Sequence, residues 1–208
     1  MHATSFNKPR HIHLIMKYDN KRIAGLLVFV GSVQCVLGII IAEALYPSYS
    51  TSENWISDLG IGPSALIFNS SVFLLGVLGI TGTYFIQRAF NFRLFSILLA
   101  ITNVGAIGVG LFTEDFGIVH TIFALILFLF TGLTAILSYK LQKPPFSYLS
   151  VLLGALALLA IVLVASGTYL GLGKGGMERM IAYPALLWVI GFGAHLIGSS
   201  DTSEVARS

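Results

Sequence analysis

Six stretches of this sequence are apolar for long enough to cross a hydrocarbon core, and that feature decides what the chain can fold into. The runs are Ile23–Leu45, Pro63–Gln87, Phe92–Phe112, Gly117–Tyr139, Tyr148–Leu170 and Met177–Gly198. Crossing a bilayer takes about 20 helical residues. Backbone at that depth must find its hydrogen bonds inside the segment, so each run reads as a helix. The apolar/polar alternation of a barrel strand is not seen. The predicted fold is all-α: an integral membrane bundle of six transmembrane helices.

Composition agrees. The chain is 56% hydrophobic and 10% charged, whereas soluble domains carry about 25% charged residues. With 208 residues there is room for one membrane domain and no sizeable soluble one. The expected organisation is a basic cytoplasmic segment over residues 1–22, a six-helix domain over 23–198 and a cytoplasmic tail over 199–208. The first apolar run is longer than a signal-peptide core, and Ile41-Ala42-Glu43-Ala44 makes a poor cleavage site, so a retained signal-anchor helix is expected. Cys35 is the one cysteine. It excludes an intrachain disulfide and reads as a small packing residue.

Charge placement sets the topology. A net charge of +3 and a pI near 9.1 do not point to nucleic acid, because the basic residues flank apolar runs instead of forming a stripe. With the N-terminus inside, the cytoplasmic segments hold Lys8, Arg10, Lys17, Lys21, Arg22, Arg88, Arg93, Lys140, Lys143 and Arg207. The outer segments hold Lys174 and Arg179. That asymmetry predicts a cell-membrane protein with both termini cytoplasmic. Glu43, Glu53, Asp58, Glu114, Asp115 and Glu178 then fall outside, and Asp19, Asp201 and Glu204 inside.

The outer acids are the candidates for chemistry. Glu43 ends the first helix, Asp58 enters the second, and Glu114 and Asp115 occupy the turn before the fourth. His120 follows one turn later, and Glu178-Arg179 opens the sixth. Tyr183 lies one turn from Arg179 on the same helical face. Acids at helix starts also serve as caps and complement the helix dipole, which fits Asp58, Asp115 and Glu178. Glu43 and His120 sit within apolar runs, where ionisable groups are costly and seek partners. Arg179 is expected to pair with Glu43, Asp58, Glu114 or Asp115, since a guanidinium can bridge two carboxylates. His120 is expected to face the bundle and bond a carboxylate, or a water held by one. Glu114, Asp115 and His120 are the candidates for acid/base catalysis.

Gln34, Asn69 and Asn103 are read as mid-membrane polar groups that bond neighbouring helices, and Asn69 is counted with the binding residues. The Asn69-Ser70-Ser71 sequon lies within a helix and is expected to be inaccessible. Pro184 is expected to kink the last helix. Glu114-Asp115 with His120 matches no recognised metal motif, and His195 belongs to the opposite membrane face. Bis-histidine haem ligation is therefore excluded, and no metal or other cofactor is assigned.

Three segments carry a family resemblance: Asn54-Trp55-Ile56-Ser57-Asp58-Leu59-Gly60; Phe112-Thr113-Glu114-Asp115 with His120; and Met177-Glu178-Arg179-Met180-Ile181-Ala182-Tyr183-Pro184 with Leu187-Trp188 and Phe192-Gly193. Together they resemble an uncharacterised family of small prokaryotic membrane proteins, the "domain of unknown function nine-nine-eight" group. Thr113 stands where that family commonly has proline. The resemblance implies six helices and supplies no activity. The function expected is an outward-facing polar pocket that binds an ion, a lipid headgroup or a partner. Its residues would be Glu43, Asp58, Asn69, Glu114, Asp115, His120, Glu178, Arg179 and Tyr183. The alternative is an integral membrane enzyme acting on lipid at the outer leaflet by acid/base or metal-assisted hydrolysis. A transporter or channel ranks last, because few polar groups continue through the membrane. Membrane lipid is the expected partner, with a protein partner or a second copy also open.

Overall fold

The computed structural model describes residues 19–205, with side chains described through Ser199. The basic residues Lys8, Arg10, Lys17 and Arg207 lie outside the described residues, and Asp201 and Glu204 outside the described side chains. Six helices make up the fold: α1 (Asn20–Leu45), α2 (Ala65–Phe90), α3 (Arg93–Leu111), α4 (Ile118–Leu137), α5 (Phe146–Ala165) and α6 (Gly173–Val205). All six are long and apolar enough to cross a membrane. Short 3-10 turns occupy Ser57–Gly60, Gly62–Ser64, Glu114–Phe116 and Ser138–Leu141. Among the described residues there is no strand.

Local signals set the ends. The Asp19 side chain accepts from the Lys21 amide at 3.3 Å and starts α1. Asn91 closes α2 in the left-handed region, with φ 50°, a conformation its short polar side chain tolerates. Only Asn91 and Phe92 separate α2 from α3. Such short links force antiparallel neighbours. Lys21, Arg22, Arg88, Arg93, Lys140 and Lys143 consequently gather at one end, here called the basic end. The α1–α2 loop, the α3–α4 turn and the start of α6 form the opposite, acidic end.

Two boundaries differ from expectation. Helix α5 stops at Ala165 instead of Leu170, because Gly167, Leu170 and Gly171 take positive φ. Helix α6 begins at Gly173 instead of Met177. Gly173, Gly175 and Gly176 are thus helical, and Gly173 and Gly175 act as a seat for the α1–α2 loop. Helix α6 runs on through Pro184.

Each helix packs on its chain neighbours, and α6 returns to α1 to close a ring. At that closure a Cβ on Gly193 would lie 2.8 Å from the Phe29 amide nitrogen and 3.1 Å from the Gly25 carbonyl. Side chains are absent from both positions so that the backbones can meet. Helices α1, α2, α3, α4 and α6 surround an interior cavity, while α5 lies outside it against α4 and α6. The cavity surface is mainly apolar, with Thr102, Asn103 and Thr131 as polar residues along its walls and Ser57, His120 and Glu178 at its mouth. Toward the basic end, Val28 and Leu99 of its wall join a buried cluster in which Phe192 packs on Phe95 and stacks on Trp188, with ring centroids 5.5 and 5.6 Å apart. The Trp188 indole donates to Ser138 Oγ at 3.1 Å.

The interior polar residues bridge helices. Gln34 Nε2 donates to the Gly31 and Ser71 carbonyls, each at 2.8 Å, and ties α1 to α2. Asn103 Nδ2 donates to the Leu99 carbonyl at 2.7 Å and to Thr83 Oγ1 at 3.3 Å, joining α3 to α2. Cys35 is buried in the core. Asn69 is not a mid-membrane group. It stands one turn into α2, and its amide donates to the Gly60 carbonyl at 2.9 Å.

Candidate functional site

The acidic end of the cavity is closed by the α1–α2 loop, and Arg179 fixes that loop. The guanidinium is 7% exposed. Nη2 donates to Glu43 Oε1 at 2.5 Å and to Tyr49 Oη at 2.8 Å. Nη1 donates to the Thr51, Asn54 and Gly175 carbonyls at 3.0, 3.4 and 3.0 Å. Arg179 therefore pairs with Glu43, one of its four expected partners. Both terminal nitrogens of this buried charge are thus supplied with acceptors, while Nε is buried without a partner. Tyr49 in turn donates to the Trp55 carbonyl at 2.9 Å. Burial, only partly offset by the neighbouring Arg179, pushes its phenol up to about 12, so the donor stays protonated at ordinary pH. Gly175 completes the seat: its amide donates to the Ser52 carbonyl at 2.9 Å, and a Cβ there would strike the Asn54 carbonyl.

The pinned loop drives Ile56 and Leu59 into the core, and Ile56 and Ser57 line the cavity mouth. Asp58 does not cap α2. Its Oδ2 accepts from Asn54 Nδ2 at 2.9 Å and from the Trp55 amide at 3.0 Å. Glu178, one residue before Arg179, lines the mouth and accepts from the Ile56 amide through Oε2. Asp58 and Glu114 both stand within electrostatic range of it.

Glu114 enters from the α3–α4 turn and lies against Asp58 and Ser57. Its Oε2 is buried without a hydrogen-bond partner. Burial, and then the Asp58 carboxyl beside it, push the Glu114 carboxyl up to about 7. Asp115 is not part of this group; the 3-10 turn Glu114–Phe116 points it outward, where it is exposed.

His120 is 7% exposed and lines the mouth. It faces the bundle as expected, but its partner differs: Nδ1 lies 2.7 Å from the Phe112 carbonyl oxygen. A carbonyl only accepts, so Nδ1 carries a proton, and in the neutral ring the lone pair is at Nε2. The carboxylate was the expected partner because sequence distance favours Glu114. The left-behind carbonyl at the end of α3 is nearer and needs a donor.

Tyr183 departs furthest from expectation. It is 41% exposed, on a lipid-facing groove between α1 and α6. Its helical spacing from Arg179 is correct, but the long arginine side chain leads back to the loop and leaves Tyr183 behind. Among the described residues, no group of three or more His, Cys, Asp or Glu is placed to hold a metal ion. Sequence reasoning missed Tyr49, Ser57 and Gly175. The glycine-rich start of α6 was the available signal for the last of these.

Six membrane-crossing helices around an apolar cavity, with carboxyls and a histidine at one mouth, define a multi-pass helical membrane protein. The chain belongs to the family described as protein of unknown function (DUF998), whose family model matches residues 29–195. No curated protein matches the chain, and no solved structure does.

Proposed function

We propose that this protein binds the polar head of a membrane lipid at its acidic end, which faces outward from the cell membrane, with both termini cytoplasmic. The orientation rests on the gathering of lysine and arginine at the basic end. The observation that carries the binding reading is the convergence of Ser57, His120 and Glu178 at the mouth of a mainly apolar cavity, with Glu114 against Ser57. These groups chiefly accept hydrogen bonds. The charge of the nearby guanidinium is paired with Glu43 and its Nη1 and Nη2 are engaged by Tyr49 and three carbonyls, so an anionic head would meet carboxyls without an unpaired cation. The favoured head is a hydrogen-bond donor, an amine or a hydroxyl. Beyond the cavity toward the basic end, the buried cluster of Phe95, Leu99, Trp188 and Phe192 offers an ion no polar path onward, which ranks a channel or transporter last.

A second reading, an enzyme acting on lipid at the outer leaflet, is favoured by one observation. The lone pair of His120 Nε2 and the high-titrating Glu114 supply a base and an acid at one mouth.

Both readings are tested by native mass spectrometry of the purified protein with single-chain amphiphiles that differ only in the head. The amine and alcohol should remain bound and the alkyl phosphate should not. The double variant Glu114→Gln, Glu178→Gln should erase the preference for the amine. Equal retention of all three heads would overturn the binding reading. Turnover of an ester-headed amphiphile that is lost in His120→Gln would favour the enzyme.

A further inference from the structure

We infer that the axial cavity is the seat of a single alkyl chain, which enters sideways from the bilayer through the seam between α1 and α6. The inference rests on the headgroup reading above and adds to it the class of ligand, a single-chain amphiphile with a donor head, and its route.

Depth is the first argument. Cavity walls run from Val28 to Ile39 on α1 and from Glu178 to Val189 on α6. Either stretch rises about 17 Å at 1.5 Å per residue. A hydrocarbon core is about 30 Å thick, so the cavity reaches as deep as one leaflet. Its surface is mainly apolar, which suits an alkyl chain.

The second argument is the mouth. His120 is more than nine-tenths buried, it lines the cavity, and its Nε2 has no protein partner. A donor head placed at the mouth would bond that nitrogen. The same head would meet Glu178 and Ser57.

The third argument is the seam. Helices α1 and α6 are fastened twice, by Arg179 with Glu43 at the acidic end and by Gly25 against Gly193 toward the basic end. Between these fastenings lies a groove open to the lipid side, with Ile40, Tyr183 and Leu187 exposed on it. Ile39 and Leu186 line both this groove and the axial cavity. Two side chains are thus the partition between bilayer and interior. Aliphatic side chains change rotamer on fast timescales, and no backbone hydrogen bond crosses between the two helices to be broken. The floating chain of a leaflet lipid can replace them.

The test uses the full chain in phosphatidylglycerol nanodiscs, with a long-chain alkylamine that bears a photoreactive diazirine near its far end. After irradiation, peptide mapping should find the label on deep wall residues such as Leu99 and Thr131. Filling the cavity with Ala106→Phe or Ala182→Phe should lower deep labelling about tenfold while the groove residues stay labelled. Ile39→Trp, which thickens the partition, should slow the approach to full labelling. Label confined to Ile40, Tyr183 and Leu187 in the unaltered protein would overturn the inference, and that readout does not depend on any variant folding. Deep labelling that is indifferent to Glu114→Gln with Glu178→Gln would keep the chain site and remove the headgroup reading. Head preference in mass spectrometry without deep labelling would do the reverse.

Discussion

Arg179 Nη2 stands 2.5 Å from Glu43 Oε1, and through that contact the last turn of α1 is held to the second turn of α6. The same guanidinium seats the α1–α2 loop through its backbone carbonyls, so one side chain both closes the ring and covers the cavity. Removing one partner of a buried pair typically costs about 3–5 kcal/mol. Glu43 keeps some solvent access, so Arg179→Leu is expected to cost about 2–3 kcal/mol. In a chain of this size that lowers Tm by about 5–10 °C. Arg179→Lys should recover little, because an ammonium cannot span Glu43, Tyr49 and the carbonyls together. Thermal unfolding in nanodiscs measures both, and an unchanged midpoint in Arg179→Leu would refute the closing role.

Glu114 makes stability depend on pH in a defined direction. Its folded carboxyl titrates near 7 against 4.5 for the ordinary group, raised by burial and by Asp58 and lowered to a lesser degree by Ser57 and Lys174. Between those values the folded chain holds a proton that the unfolded chain releases, so stability falls as pH rises through the window. Glu114→Gln keeps the protonated shape without the titration. It should match the parent at or below pH 4.5 and be the more stable form above 7. A parent whose Tm rises with pH across this range would contradict the assignment.

The His120 tautomer is directly observable. Nitrogen-15 NMR of histidine-labelled protein at alkaline pH should show the proton on Nδ1 of His120 and the lone pair on Nε2. The opposite tautomer would mean that the Phe112 carbonyl is not its partner. His120→Asn, which can still donate to that carbonyl, should preserve the fold better than His120→Ala, by about 1 kcal/mol.

Topology is open to thiol labelling in a Cys35→Ala background. Cysteines at Ser52 and Lys174, both exposed at the acidic end, should react with an impermeant maleimide in intact cells. A cysteine at Lys143, exposed at the basic end, should react only after the cells are opened. The reverse pattern would invert the orientation.

The helices were legible because the bilayer leaves only one way to satisfy a long apolar backbone. The link between Arg179 and Glu43 was legible too, since few cations were available to six acids at that end. Side-chain reach was not. Glu114 and Asp115 are adjacent and chemically alike, and only the 3-10 turn separates the buried carboxyl from the exposed one. Periodicity put Tyr183 beside Arg179 on the helix, but the arginine side chain travels to the loop and the tyrosine faces lipid. His120 bonds a main-chain carbonyl, an acceptor present at every position and so invisible to residue type. The cavity belongs to five helices jointly and has no signature in any one of them.

Ring closure between the first and last helices has a consequence for synthesis. Glu43 and its guanidinium are separated by 136 positions. At about 5–20 residues per second, the ribosome delivers Arg179 roughly 7–27 s after Glu43. For that interval α1 sits in or beside the insertion machinery with an unpaired carboxylate near its end and a bare glycine face. A nascent chain interrupted before α6 keeps both defects.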